Sequence, residues 1–208
     1  HLPGDIVEEI LSRLPVKSLL RFKCVSKSCR SLIRSDRFIK RHLEKSKSGR
    51  RLECWEVIFG NFKSPNLKRC SLLSYLDDPS VTPLLIDDPI TNHLTVDSQI
   101  IGHSNGLLCI FNKPNSFFLW NPATRFSLQL PKPDADYVIK CGFGWDGDRD
   151  AYKVFAVFSK MNGNGIKRIG SIYNSKTNSW KALERASTGA LICAIGLGSL
   201  RVGKYTGL

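Results

Sequence analysis

The 208-residue chain is 42% hydrophobic and 24% charged, the composition of a soluble globular protein with length for a small module and a larger domain. No apolar run approaches the roughly 20 residues that span a bilayer, so no membrane-spanning helix is expected. The net charge of +13 is uneven: residues 1–51 carry fourteen Lys or Arg against five Asp or Glu, which is +9 of the total.

In chain order, Pro3 suits a first helical turn, and Asp5, Glu8 and Glu9 favour its positive end. Ile6, Val7, Ile10, Leu11 and Leu14 then recur at the spacing that gathers them on one helical stripe. Pro15 cannot continue the helix and restricts Leu14, so the chain turns before a second helical pattern. Leu19, Leu20, Phe22, Val25, Leu32, Ile33, Phe38 and Ile39 supply further apolar faces. Three or four short helices made from about forty residues lie near the lower limit of independent folding, where a partner supplies the missing burial. The prediction is an interaction module.

The run LPGDIVEEILSRLPVKSLLRFKCVSKSCRSLI, within residues 2–43, resembles the F-box of plant F-box proteins. The resemblance implies a three-helix module that docks on a Skp-type adaptor of a cullin-RING ubiquitin ligase, through a Leu-Pro entry and the apolar stripe behind it. Carried over by position, it implicates Leu2, Pro3, Ile6, Ile10, Leu11, Leu14, Pro15, Val16, Leu19, Cys24 and Val25 in adaptor binding. Leu20, Phe22 and Leu32 divide evenly between that interface and the module's own core. One position departs: Cys29 stands where the family usually has Trp. A large-to-small change at a buried site costs about 3 to 5 kcal/mol when its neighbours do not collapse.

The Lys and Arg of residues 30–51 could release counterions from a nucleic acid or steer a protein partner. A single Phe, Phe38, among them gives little of the aromatic interleaving that base stacking needs, so nucleic-acid binding is the runner-up reading.

After the polar stretch 44–51 the pattern changes to short β-rich runs separated by Gly, Pro, Asn and Asp. A boundary there gives an F-box at 1–46 and a β domain at 52–208. Strands are predicted at 55–59, 107–111, 116–120, 153–159 and 169–173. FLWNPATRFSLQL at 118–130 aligns with SIYNSKTNSWKAL at 171–183, an offset of 53. An aromatic-ended strand, an Asn-led turn and a strand ending in Leu recur, as in consecutive kelch-like blades with a period near 50. HSNGLLCIFN, LWNPATR, CGFGWDGDRDAYKVF and IYNSKTNSW resemble the F-box-associated domain of plant F-box/kelch-repeat proteins. The resemblance implies an α+β multidomain protein whose all-β, propeller-like part is a receptor for an unknown protein substrate. At roughly 50 residues per blade the β region makes about three blades, fewer than the 4 to 8 of a closed propeller, so an incomplete domain is expected. The initial His and the Gly-rich end after Gly189 also suggest a fragment, with open strand edges prone to aggregation.

Chemistry-bearing motifs fail on context. Gly142, Gly144 and Gly147 match GxGxxG, but a strand rather than a phosphate-cradling helix is predicted to follow. Asp146, Asp148 and Asp150 imitate the start of a calcium loop that lacks its Gly and Glu. His42, His93 and His103 have no metal-ligand or nucleophile spacing, so no cofactor is expected and the chain reads as non-catalytic. Seven dispersed cysteines without a CxxC pair read as reduced thiols in the cytoplasm or nucleus. The expected function is a substrate-recognition adaptor, with a truncated product lacking target binding as a further reading.

Overall fold

Extended prolines punctuate the start of the chain. In the computed structural model, which describes residues 3–48, 55–61, 64–162, 165–183 and 203–204, Pro3 and Pro15 stand directly before α1 (Gly4–Leu11) and α2 (Val16–Phe22). Their missing N–H costs nothing there, because the first amides of a helix have no intrahelical partner. Ser26 caps α3 (Lys27–Arg34) by accepting from the Cys29 amide at 3.1 Å. Ser35 does the same for α4 (Asp36–Ser48), accepting from Phe38 at 3.3 Å. The module therefore has four helices, and the last one absorbs much of the polar stretch that the sequence placed at the boundary. Leu11, Leu19, Ile33 and Phe38 form its small core, with Val7, Leu14, Cys29 and Leu32 packed against them.

Three antiparallel sheets follow. The first holds β1 (Trp55–Asn61), β2 (Ser64–Ser71) and β3 (Leu84–Leu85), with α5 (Leu72–Asp77) between the last two. The second runs β4 (Gln99–Ser104), β5 (Leu107–Asn112), β6 (Ser116–Asn121) and β7 (Phe126–Gln129). The third runs β8 (Tyr137–Asp146), β9 (Ala151–Asn162), β10 (Gly165–Asn174) and β11 (Ser179–Ala182). β12 (Gly203–Lys204) pairs with β1 and completes the first sheet. All five predicted strands lie within these elements. The Gly-rich end apart from β12 lies outside the described residues.

The 53-residue repeat is structural. Trp120 pairs with Ser127 and Asn121 with Phe126 in one hairpin; Tyr173 pairs with Trp180 and Asn174 with Ser179 in the other. Each position differs by the same 53. Asn121 accepts from the amides of Ala123 and Thr124, and Asn174 from that of Lys176, so an Asx turn opens both connections. Both turns close on a left-handed residue, Arg125 at φ 59° and Asn178 at φ 47°. The bond from the Leu130 amide to the Phe117 carbonyl, 2.9 Å, recurs from Leu183 to Gly170 at 2.7 Å.

Stacking of the sheets explains the apolar runs LLCIF and FFLW. Leu108, Ile110, Phe118 and Trp120 face the first sheet and pack with Leu67, Ile90 and Leu94. Alternate residues Cys109, Phe111, Phe117 and Leu119 face the third sheet and pack with Val154, Ala156, Phe158 and Tyr173. Trp180 ties the second interface, its ring beside those of Phe117, Phe158 and Tyr173 and its Nε1–H donating to the Pro131 carbonyl at 2.7 Å. Phe117→Ala is expected to cost about 3 to 5 kcal/mol, and Phe126→Ala, half exposed on an outer strand, within about 0.5 kcal/mol. Urea-denaturation midpoints of the two variants check the difference.

Candidate functional site: an apolar face on a charge-clamped helix

Helix α1 divides its apolar residues between two directions. Leu11 is buried and Val7 packs beside it in the core, while Ile6 and Ile10, one turn apart, remain 47% and 48% exposed. The structure places the implicated residues in three groups. Pro3, Ile6, Ile10, Pro15, Cys24 and Val25 are exposed, Val25 at 69%. Leu14 is half-buried against the core, and Leu11, Val16 and Leu19 are buried. Leu2 lies outside the described residues. Of the three divided residues, Phe22 is exposed, Leu20 half-buried, and Leu32 packs on the core beside Cys29.

The polar side of α1 is fixed by α4. Arg41 donates to Glu8 at 2.8 Å and also to Glu9, and Lys45 donates to Glu9 at 2.6 Å and to the buried Ser12 at 2.8 Å. Arg37 lies 3.8 Å from Glu8, and Arg13 donates to Glu9 at 2.7 Å. His42, buried on the same helix, donates through Nε2 to the Leu14 carbonyl at 2.9 Å, which fixes the turn before Pro15. The sequence signal for this clamp is the spacing of Arg37, Arg41 and Lys45, one per turn, opposite the adjacent Glu8 and Glu9. Of the Lys and Arg in the 30–51 stretch, these three are engaged within the module.

Hydrogen bonds from Lys45 and Arg13 hold the Glu9 carboxyl down to about 2 from its ordinary 4.5. A depressed carboxylate contributes stability that is present above the unfolded value and lost as pH falls through the folded one. Thermal melts are therefore expected to show a fall between about pH 4.5 and pH 2 that Glu9→Gln reduces. The melting temperature of that variant should lie below wild type at pH 7 and converge with it in acid.

The β region's chemistry-bearing residues serve structure. Gly142 and Gly144 lie inside β8, whose edge continues to a turn and into β9, so no helix N-terminus faces them. Asp146 pairs with Lys153, whose hydrogen bond lowers its carboxyl, and Asp150 lies 3.6 Å from Lys176 and 4.0 Å from Lys40. No group of three or more potential metal ligands gathers among the described residues. Burial pushes the Cys141 thiol up to about 12 and raises Cys109 as well, which keeps both as unreactive thiols. Under native conditions iodoacetamide should alkylate exposed Cys24 and leave Cys109 and Cys141 unmodified, as peptide mass mapping would read.

A small helical module followed by three stacked antiparallel sheets makes a two-part, α+β architecture. Residues 1–41 match the F-box domain, and residues 65–198 match the F-box associated beta propeller domain. The chain belongs to the family of F-box proteins that carry this associated domain. It is 31% identical over 201 residues to the F-box/kelch-repeat protein At3g23880 of Arabidopsis thaliana, covering 92% of this chain and 54% of the relative. It is 30% identical over 202 residues to the F-box protein CPR1 of the same plant, covering 90% and 46%. The F-box/kelch-repeat protein At3g16580, also from Arabidopsis thaliana, is 29% identical over 186 residues, covering 88% and 44%. The chain thus spans about half the length of the curated relatives it matches.

Proposed function

We propose that the chain is a substrate-recognition adaptor of an SCF-type cullin-RING ubiquitin ligase. The F-box binds a Skp-type adaptor, and the β domain captures a protein target. The observation that carries the reading is the pair Ile6 and Ile10, exposed on a helix whose other sides are committed to the core and to α4. Exposed aliphatic side chains on a rigid helix suit a partner's groove, because neither partner orders a loop to make the contact. Pro3, Pro15, Cys24 and Val25 extend the proposed surface, with Leu11, Leu14, Val16 and Leu19 holding it in shape and Leu2 contributing ahead of α1.

The chain itself performs no chemistry in this reading. Tethering raises the target's concentration beside a charged ubiquitin-conjugating enzyme held elsewhere on the ligase. The cytoplasm or nucleus, where such ligases and reduced thiols occur, is the proposed place of work.

Co-purification of the full chain with a plant Skp-type adaptor tests the docking half. Wild type should be retained, and Ile6→Asp with Ile10→Asp should lose retention by about a hundredfold or more while keeping the wild-type circular dichroism. Both substitutions sit at exposed positions, so a folded double variant that is still retained would overturn the assignment. Retention of nucleic acid instead, with a steep decline in salt, would return the basic-surface reading.

A further inference from the structure

The seam between the helical module and the β sheets contains a cleft of about 360 Å³ whose walls come from both parts. Helix α2 contributes Lys17 and Arg21, β2 contributes Arg69, and the β6–β7 turn contributes Arg125. We infer that this cleft is a binding site for a phosphomonoester or a compact polyphosphate, held between Arg21 on one side and Arg69 and Arg125 on the other.

Charge within the cleft is unbalanced in a specific way. Lys17 and Arg69 share a single carboxylate, Glu56, at 4.0 and 3.6 Å. Arg21 and Arg125 form no ion pair among the described residues. Of the two acids in the wall, Asp88 is buried and accepts from the Ile90 amide at 3.0 Å, so its negative end is directed into its own turn. Asp87 alone is left exposed to oppose the unpaired guanidinium groups. Guanidinium groups on separate elements suit a tetrahedral dianion, because each donates a planar fork and several oxygens are available to receive them. The volume fits one or two phosphate groups and their immediate substituent.

Arg125 adds a second, independent observation. It occupies a left-handed backbone position, φ 59°, which an L side chain other than Asn or Asp adopts at a cost. The equivalent turn 53 residues later has Asn178 there, a residue suited to the conformation. The strained choice occurs in the turn whose side chain lines the cleft. A bound anion would connect α2 to the sheets directly, so it would set the angle at which the receptor part leaves the docking module. The inference does not depend on adaptor capture, since neither Arg21 nor Arg125 belongs to the proposed docking surface.

Calorimetric titration of the full chain at about 0.15 M salt tests it, with inorganic pyrophosphate and a neutral peptide bearing one phosphoserine as probes. Arg21→Ala with Arg125→Asn should weaken binding about tenfold or more. Arg125→Asn installs the residue that the second turn already carries, so this variant keeps its fold. Arg34→Ala with Lys47→Ala removes the same charge away from the cleft and should change affinity less than twofold. Tighter pyrophosphate would mark a free polyphosphate as the ligand, and tighter phosphopeptide a phosphorylated protein segment; either supports the site. No binding of either probe, or equal weakening by the two double variants, overturns it. Retention by the Skp-type adaptor, measured on the same proteins, keeps failure of the site distinguishable from failure of the docking assignment.

Discussion

The middle sheet is covered on both sides, and the rest of the β region depends on that double burial. Its inner strands β5 and β6 can hold the continuous apolar runs 107–111 and 117–120 only because Leu108, Ile110, Phe118 and Trp120 meet the first sheet while Cys109, Phe111, Phe117 and Leu119 meet the third. Pairing in register makes this possible, because a slip of one residue would exchange the two faces at once. Phe111 and Phe117, directly opposed on β5 and β6, then present one aromatic surface to Trp180 of the next sheet. The Asx turns fix the hairpins that keep this register, so local turn chemistry and long-range packing specify the same arrangement.

The helical module solves a different problem. With four large apolar residues at its centre, it has little burial from which to gain stability, and its first and last helices are joined by charge instead. Individually such exposed pairs contribute little, but here two adjacent carboxylates meet three cations on successive turns, the last of which also donates to the buried Ser12. This arrangement leaves the outer side of α1 free of internal duty. The small core and the available Ile6–Ile10 pair are two aspects of one economy: the module does not use these two side chains for itself.

Much of this was legible in the residues. Five of the strands, the Asn-led turns and the 53-residue equivalence followed from β-rich runs between Gly, Pro, Asn and Asp and from aromatic strand ends, all local signals. Which members of the α1 stripe face inward was not, because Ile6, Val7, Ile10, Leu11 and Leu14 are alike in hydropathy and only the packing of Phe38 and Ile33 distinguishes them. Leu11 and Leu19 therefore read as interface and sit in the core. The clamp escaped for a related reason: Arg41 and Lys45 lie 32 to 36 positions from the carboxylates they meet, so the sequence displays the cations as an unopposed patch. The seam cleft likewise gathers residues from 17 to 125, a convergence that no window along the chain contains.

Because the sheets stack face to face, and the Asn-led turn and strand register recur together at an offset of 53, the architecture is modular in its turns as well as in its packing. Insertion of a single residue within β5 or β6 would misplace both cores. Variation in this scaffold is thus channelled into exchange of turn residues, as between Arg125 and Asn178. Chemical specificity can then diverge at the turns while the buried rows beneath them stay constant.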